Sequence, residues 1–258
     1  MTNLPLHMTY VGGPTALLEF GGVRLLTDPT FDAAGAEYRA AAYVLRKTQG
    51  PAVAPDSLGR IDVVLLSHDQ HFDNLDASGR QLLSRVGRVL TTEAGAGRLG
   101  PPAQGLAPWQ SVEISAPDQR KLRVTAIPAR HGPAHLDRGP VIGFVLTYSN
   151  APDYGVYVSG DTVWYEDLCK VSRRFSISVA ILFMGAARVA AVGPWHLTFT
   201  ATEGVEAARA FKDAMIVPLH FEGWEHFSES RDEIQAAFRE AGLESRLRWL
   251  ERGHATDL

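Results

Sequence analysis

The chain has 258 residues, a net charge of −4, 45% hydrophobic and 21% charged residues, and a single cysteine. That balance is ordinary for a folded globular chain, and no basic run or stripe of the kind that favours nucleic acid appears in it. No apolar run approaches the ~20 residues of a membrane span, and the lone Cys169 excludes an internal disulfide.

In chain order, Thr9 to Phe20 reads as a strand interrupted by Gly12-Gly13-Pro14, and Gly21-Gly22 turns it into a second strand over Val23 to Thr27. The stretch from Met1 to Tyr10 carries Pro5 and His7 and no basic flank before an apolar core. It does not read as a signal peptide, and a cytoplasmic protein is expected. Thr30 to Gly59 is long and mixed, with a short helix expected over Ala36 to Lys47. Such an insertion between strands suits a lid or pocket wall as well as a plain surface excursion. Ile61 to Ser67 is an apolar run of strand length. Leu75 to Val86 has helical spacing, Arg88 to Thr91 returns as a short strand, and Ala94 to Leu99 is a short turn or helix. Strands are then expected over Ser111 to Ser115, Lys121 to Ile127, Val141 to Tyr148, Gly155 to Ser159, Val179 to Met184 and Ala214 to Leu219. Helices are expected over Val163 to Ser172, over Thr200 to Lys212 with Thr200 and Glu203 at capping-box spacing, and over Arg231 to Ala241. Arg246 to Leu250 is expected to close the chain as a strand. This order predicts one α/β or α+β domain over residues 1–258, with two βα halves of about 1–128 and 129–258.

The chemistry gathers in Ser67-His68-Asp69-Gln70-His71-Phe72-Asp73-Asn74-Leu75-Asp76, where an apolar strand runs directly into imidazoles and carboxylates. A bound metal would account for such a cluster. Three further apolar strands end in a donor: Leu122 to Ile127 leads to His131, Val156 to Ser159 to Asp161, and Met215 to Leu219 to His220. Ligands of α/β sheets collect outside the carboxyl ends of strands, so four distant segments can deliver donors to one edge.

These segments resemble the metallo-β-lactamase-fold hydrolases, in the branch of the L-ascorbate-6-phosphate lactonase-like proteins. Leu25-Leu26-Thr27-Asp28-Pro29 is similar to the family's early strand and turn. Ser67-His68 to Asp73-Asn74 is similar to its His-x-His-x-Asp-His motif, and Pro128 to Pro133 to the segment of its third histidine. Ser159-Gly160-Asp161-Thr162 resembles the segment of the bridging aspartate, and Pro218-Leu219-His220 that of the last histidine. The resemblance implies an αββα sandwich, an α+β fold of two stacked mixed sheets flanked by helices, with a metal site at one edge. It implies metal ligands at His68, His71, His131, Asp161, Asp73 and His220. Asp73 would orient a metal-activated water as general base, with His220 beside it in the catalytic set.

The motif departs from the family in two places. The first two histidines are two residues apart, so Gln70 takes the usual position of the second, and His71 is the better ligand after a one-residue bulge. Asn74 stands in place of a histidine of the second metal site, and a neutral amide is a poor substitute for imidazole. One firm divalent site and a doubtful second one follow, with zinc expected and manganese or iron compatible with the same donors.

Beyond the ligands, Glu222, Trp224, His226 and His196 are candidates for the substrate pocket. Asp28 is expected to support the ligands rather than bind metal. The expected function is hydrolysis of a small-molecule ester, lactone or phosphoester. The rival readings are an iron-dependent oxygenase on the same fold and a non-catalytic binding protein with a degraded site. The expected partner is a small molecule, with neither nucleic acid nor membrane, and a homo-oligomer is compatible with such a chain.

Overall fold

The computed structural model describes residues 4–40 and 43–258. Three antiparallel strands open the chain, β1 (Leu6–Gly12), β2 (Thr15–Phe20) and β3 (Val23–Thr27). A small hairpin of β4 (Glu37–Arg39) and β5 (Val44–Arg46) follows. Next come β6 (Val63–Leu65), α1 (Ala77–Leu83), β7 (Val89–Thr92), α2 (Glu93–Leu99) and β8 (Ala103–Leu106). The second half carries β9 (Ser111–Ser115), β10 (Lys121–Pro128), β11 (Ile142–Tyr148), β12 (Ala151–Val158), α3 (Cys169–Arg174), β13 (Ile177–Phe183), α4 (Ala201–Ala210), β14 (Met215–Leu219), α5 (Arg231–Glu240) and β15 (Ala255–Asp257).

Two mixed sheets result. One has the order β15-β1-β2-β3-β6-β7-β8 and the other β14-β13-β12-β11-β10-β9. Between them lies an apolar layer in which Met8, Leu18, Leu25 and Leu65 of the first sheet meet Leu122, Phe144, Val158 and Ile181 of the second. The outer face of the first sheet buries Leu26, Val64 and Val89 under Leu82 and Leu83 of α1. The outer face of the second buries Val145, Ala180 and Ile216 under Val171 of α3, Val205 of α4 and Phe238 of α5. Helix, sheet, sheet and helix are thus stacked in that order, the αββα sandwich expected from the resemblance. Burial on both faces explains why β6 and β13 read as continuous apolar runs rather than alternating ones.

The local signals explain the helix starts. Thr200 accepts from the Glu203 N–H while the Glu203 carboxylate accepts from the Thr200 N–H, and Ser230 and Glu233 repeat the arrangement at α5. α1 begins at Asp76, whose Oδ1 accepts from the Gly79 N–H.

Two expectations are corrected. The stretch from Ala36 to Lys47 is a β-hairpin rather than a helix in its described part; residues 41 and 42, and residues 1–3 of the N-terminal stretch, lie outside the described residues. The reason is the period of its pattern: Glu37, Arg39, Val44 and Arg46 face out while the cross-strand pair Tyr38 and Leu45 faces in. The segment from Arg246 to Leu250 is not a strand. Its Arg246 guanidinium is taken up by carbonyls at the end of α4 and beyond, donating to Ala208 O at 2.6 Å and Ala214 O at 2.9 Å. The closing strand is instead β15, paired with β1. β8 and its parallel pairing with β7 had no sequence signal, since Ala103-Gln104-Gly105-Leu106 shows no apolar run.

Candidate metal centre

Five strand ends meet at one edge of the sandwich. Asp28 follows β3, His68 follows β6, His131 follows β10, Asp161 follows β12 and His220 follows β14. The chain reaches these positions through sharp turns. Gly160 sits at φ +60°, and a Cβ there would lie 2.7 Å from both Ile142 O and Ser67 Cβ, so only glycine lets β12 turn into Asp161. His220 itself adopts φ +55°, a left-handed conformation rare for a side chain of its size. Its N–H is held by Gly13 O at 2.9 Å. Strain of this kind concentrates at functional sites.

Six of the sequence-predicted residues assemble into two groups of donors. His68, His71 and His131 form the first and Asp73, Asp161 and His220 the second, with the donor atoms of each group within 4.8 Å of one another. In the first group His71 Nδ1 lies 2.9 Å from His68 Nε2 and 3.1 Å from His131 Nε2. Their other ring nitrogens are engaged: His131 Nδ1 donates to Leu197 O at 2.9 Å, and His68 Nδ1 meets Ser67 Oγ at 2.9 Å. The Ser67 hydroxyl donates onward to Asp28 Oδ2 at 2.6 Å, so it accepts from His68 Nδ1–H. Both rings therefore turn an unprotonated Nε2 towards the common centre, the usual device for orienting ligand imidazoles.

Asp161 joins the groups. Its Oδ1 is 3.5 Å from His220 Nε2 and its Oδ2 3.7 Å from His131 Nε2. Asp73 Oδ2 faces His220 Nε2 at 3.6 Å and His226 Nε2 at 2.9 Å. Asn74 Nδ2 donates to Asp28 Oδ2 at 3.1 Å and Asp161 Oδ1 at 3.2 Å, so the amide ties two carboxylates together. Gln70 points away, donating to the carbonyls of Arg138 and Pro140. The bulge in the motif thus places His71, not Gln70, beside His68.

The charge states fit a cation. Burial, and then the neighbouring His131, push His71 down to about 4, and burial drives His68 well below its ordinary value, so both rings are neutral donors. Burial alone would raise Asp161 and Asp73, but the surrounding imidazoles hold both below the usual carboxylate range. Burial raises Asp28 to about 7 against the hydrogen bonds from Ser67 and Asn74. Both ring nitrogens of His220 are buried without a hydrogen-bond partner. An orphaned buried imidazole between two carboxylates, beside three converging ring nitrogens, is the donor chemistry a divalent metal takes.

One consequence is testable without any substrate. Burial would lower His220, but Asp161 and Asp73 outweigh it and hold the ring at about 9, above its ordinary 6.5. In chelator-treated protein the folded state therefore binds this proton more tightly than the unfolded chain. Its stabilising contribution is complete below about pH 6.5 and disappears as pH rises through about 9. Thermal unfolding of chelator-treated protein should show Tm falling across that window, with a smaller fall once a divalent metal is restored. A flat Tm from pH 6.5 to 9 would contradict the assignment.

Three of the donors, His71, Asp73 and His131, line an open cleft. His226 lines it beside them, as do Tyr43 and Leu45 of the hairpin segment, Arg138, and Leu197 with Ala187 and Val189. The insertion after β3 is thus a cleft wall. Of the four pocket candidates, His226 lines the cleft. His196 turns to Glu203 at 3.0 Å, and Glu222 lies 4.0 Å from Arg252. Trp224 is buried behind the hairpin, 5.5 Å from the Tyr38 ring. Arg138 and Leu197 were missed. Neither stands in a motif, and the tie from the Leu197 carbonyl to His131 is a long-range backbone contact that side-chain types cannot announce.

A family model described as a beta-lactamase superfamily domain matches residues 23–221. The chain belongs to the beta-lactamase superfamily, and with it to the hydrolases built on this fold. A metal-dependent hydrolase from Pyrobaculum aerophilum is 25% identical over 236 residues, covering 90% of this chain and 91% of that protein. Isothiocyanate hydrolase from Delia radicum gut bacteria shares the fold with a TM-score of 0.80 at 22% identity, covering 97% of this chain and 98% of its own. Igni18, a metallo hydrolase from Ignicoccus hospitalis, does so with a TM-score of 0.72 at 18% identity, covering 98% of each chain.

Proposed function

We propose that the protein is a metal-dependent hydrolase of a small-molecule ester, lactone or phosphoester, in the lactonase-like branch of the superfamily. The observation that supports this most is the juxtaposition of two donor groups, joined by Asp161, beside an open cleft that His71, Asp73 and His131 line. His68, His71 and His131, with Asp161, would hold the metal; zinc is the first choice and manganese the second. A divalent ion there supplies Lewis acidity towards a carbonyl or phosphoryl oxygen and lowers the pKa of water towards ~7. The weaker second group, in which Asn74 replaces an imidazole, leaves Asp73 free to act on protons. Its Oδ2 takes the proton of the attacking water, and His226 Nε2, 2.9 Å away, steadies that oxygen. Arg138 faces an anionic portion of the substrate, while Tyr43, Leu45 and Leu197 exclude water from the cleft floor. A cytoplasmic location and the absence of a nucleic-acid partner accompany this reading.

Zinc-loaded protein assayed against p-nitrophenyl acetate, a homoserine lactone, bis-p-nitrophenyl phosphate and benzyl isothiocyanate should turn over an ester, lactone or phosphoester. Chelation should abolish the rate and added zinc restore it. Turnover of the isothiocyanate alone would move the substrate class to that of the relative from Delia radicum gut bacteria. No turnover of any of them with zinc or manganese would overturn the hydrolase reading.

A further inference from the structure

The second donor group stands next to an imidazole that the motif does not supply. Asp73, Asp161 and His220 have their donor atoms within 4.8 Å of one another, and His226 adjoins them through Asp73. Asp73 Oδ2 lies 2.9 Å from His226 Nε2 and 3.6 Å from His220 Nε2, so two imidazoles converge on one carboxylate oxygen. Asp161 Oδ1 lies 3.5 Å from the same His220 nitrogen. Neighbouring ligands of an ion with bonds of ~2.0–2.2 Å stand roughly 3.3–3.6 Å apart in a tetrahedron, and these contacts fall close to that spacing. Phe227 packs against both rings, its centroid 4.9 Å from that of His220 and 4.7 Å from that of His226. The chain at His226 is held by the Arg188 N–H, which donates to the His226 carbonyl at 2.8 Å.

The charges of the group call for a cation. Among the described residues, the ion pairs of Asp73 and Asp161 are all with histidines, and no lysine or arginine reaches either carboxylate. Buried carboxylates without a basic partner are costly, and one divalent ion matches the summed charge of two. Both ring nitrogens of His220 are buried without a hydrogen-bond partner. Asn74 turns its Nδ2 to Asp28 and Asp161, and an amide N–H has no lone pair to give. Its Oδ1 is buried without a partner and is the rival donor.

We infer that His226 supplies the imidazole that Asn74 does not, so that Asp73, Asp161, His220 and His226 form a second divalent-metal site, for zinc or manganese, beside the first. The inference goes beyond the hydrolase reading and does not depend on it, because metal occupancy is read without substrate. With one ion bound, His226 Nε2 donates to Asp73; with a second, both side chains become its ligands. The second site is the weaker one for two reasons. Asn74 Nδ2 already occupies Asp161 Oδ1, and the hydrogen bond between His226 and Asp73 must be given up. Ligation through Nε2 also moves the ring proton to Nδ1, which is buried without an acceptor.

Calorimetric titration of zinc into chelator-treated wild type should show two equivalents, a tight one followed by a weaker one. His226→Ala should keep the tight equivalent and weaken the second by more than about 100-fold, beyond the roughly 10- to 100-fold that a partner outside the ligand set commands. His226→Gln decides between ligand and hydrogen-bond donor. It keeps an N–H for Asp73, but a neutral amide is a poor ligand, so it should lose the second equivalent as alanine does. The retained tight equivalent shows that each variant is folded. Retention of the second equivalent in either variant, a single equivalent in the wild type, or its loss in Asn74→Ala but not in His226→Ala would overturn the inference. A direct reading needs no variant: in wild-type crystals at excess zinc, the second ion should be bonded to His226 Nε2. A second ion on Asp73, Asp161 and His220 alone would overturn the inference even if both variants fail to fold. Turnover by a protein that takes up one equivalent only sinks this inference alone, and two equivalents without turnover sink the hydrolase reading alone.

Discussion

Replacing Asp161 by alanine is expected to release metal from both donor groups and to lower kcat/KM on the order of 10³-fold, about 4 kcal/mol of transition-state stabilisation. Among the described residues no other carboxylate contacts imidazoles of both groups: one oxygen of Asp161 faces His220 and the other His131. The residue is 1% exposed, so water cannot stand in for the lost charge. Its removal also deprives Asn74 Nδ2 of one of two acceptors and leaves His220 facing Asp73 alone. Asp161→Asn separates shape from charge. The amide fills the same volume but is a weak neutral donor, so metal content should fall nearly as far as in the alanine variant. Elemental analysis of dialysed protein, paired with the rate on the best substrate, reads both effects. Stoichiometric metal with kcat/KM within tenfold of wild type would show that Asp161 is not the link between the groups.

Asp76→Ala is expected to be the most damaging substitution outside the donor set, costing about 3–5 kcal/mol of stability. Asp76 is fully buried and holds three donors. Oδ2 accepts from Lys47 Nζ at 2.8 Å and from the Asp32 N–H at 2.7 Å, and Oδ1 caps α1 through the Gly79 N–H at 2.8 Å. Without it the buried Lys47 ammonium loses its hydrogen-bonded carboxylate, and burial already pulls its pKa down. The cap adds about 1 kcal/mol to the loss. Lys47→Met in the Asp76→Ala background removes the stranded charge and should recover part of it, giving a clear coupling in a double-mutant cycle by urea denaturation. Function should respond as well. Lys47 follows β5 directly and pins the hairpin whose Tyr43 and Leu45 wall the cleft, so KM should rise more than kcat falls. A loss below about 1 kcal/mol, within the range of an ordinary surface change, would contradict this role.

What could be read from the residues was the layout of the edge. Strands such as β6, β10, β12 and β14 announce themselves by apolar runs, and each runs into a donor, so the gathering of His68, His131, Asp161 and His220 at one edge follows from topology. The bulge that favours His71 over Gln70 was likewise legible, because His71-Phe72-Asp73 keeps the motif's spacing from its right-hand side. The network behind the ligands was not. Ser67 relays Asp28 to His68 through a hydroxyl that carries no motif, and Asn74 reads as a lost ligand although it bridges two carboxylates. The hairpin from Glu37 to Arg46 was hidden because its strands are three residues each, too short for period-two alternation to stand out against helical spacing. Trp224 and Glu222 follow His220 closely in sequence, yet the turn after β14 carries them behind the cleft rather than into it. Proximity in the chain was a poor guide there, and the left-handed conformation of His220 is the physical reason.

The measurement that bears most directly on this account is anomalous diffraction at the zinc edge from a crystal of zinc-loaded protein. A strong peak is expected among His68 Nε2, His71 Nδ1 and His131 Nε2, with Asp161 beside it and a weaker peak or none between Asp73 and His220. No peak among the three histidines, or a peak that draws Gln70 in place of His71, would contradict it.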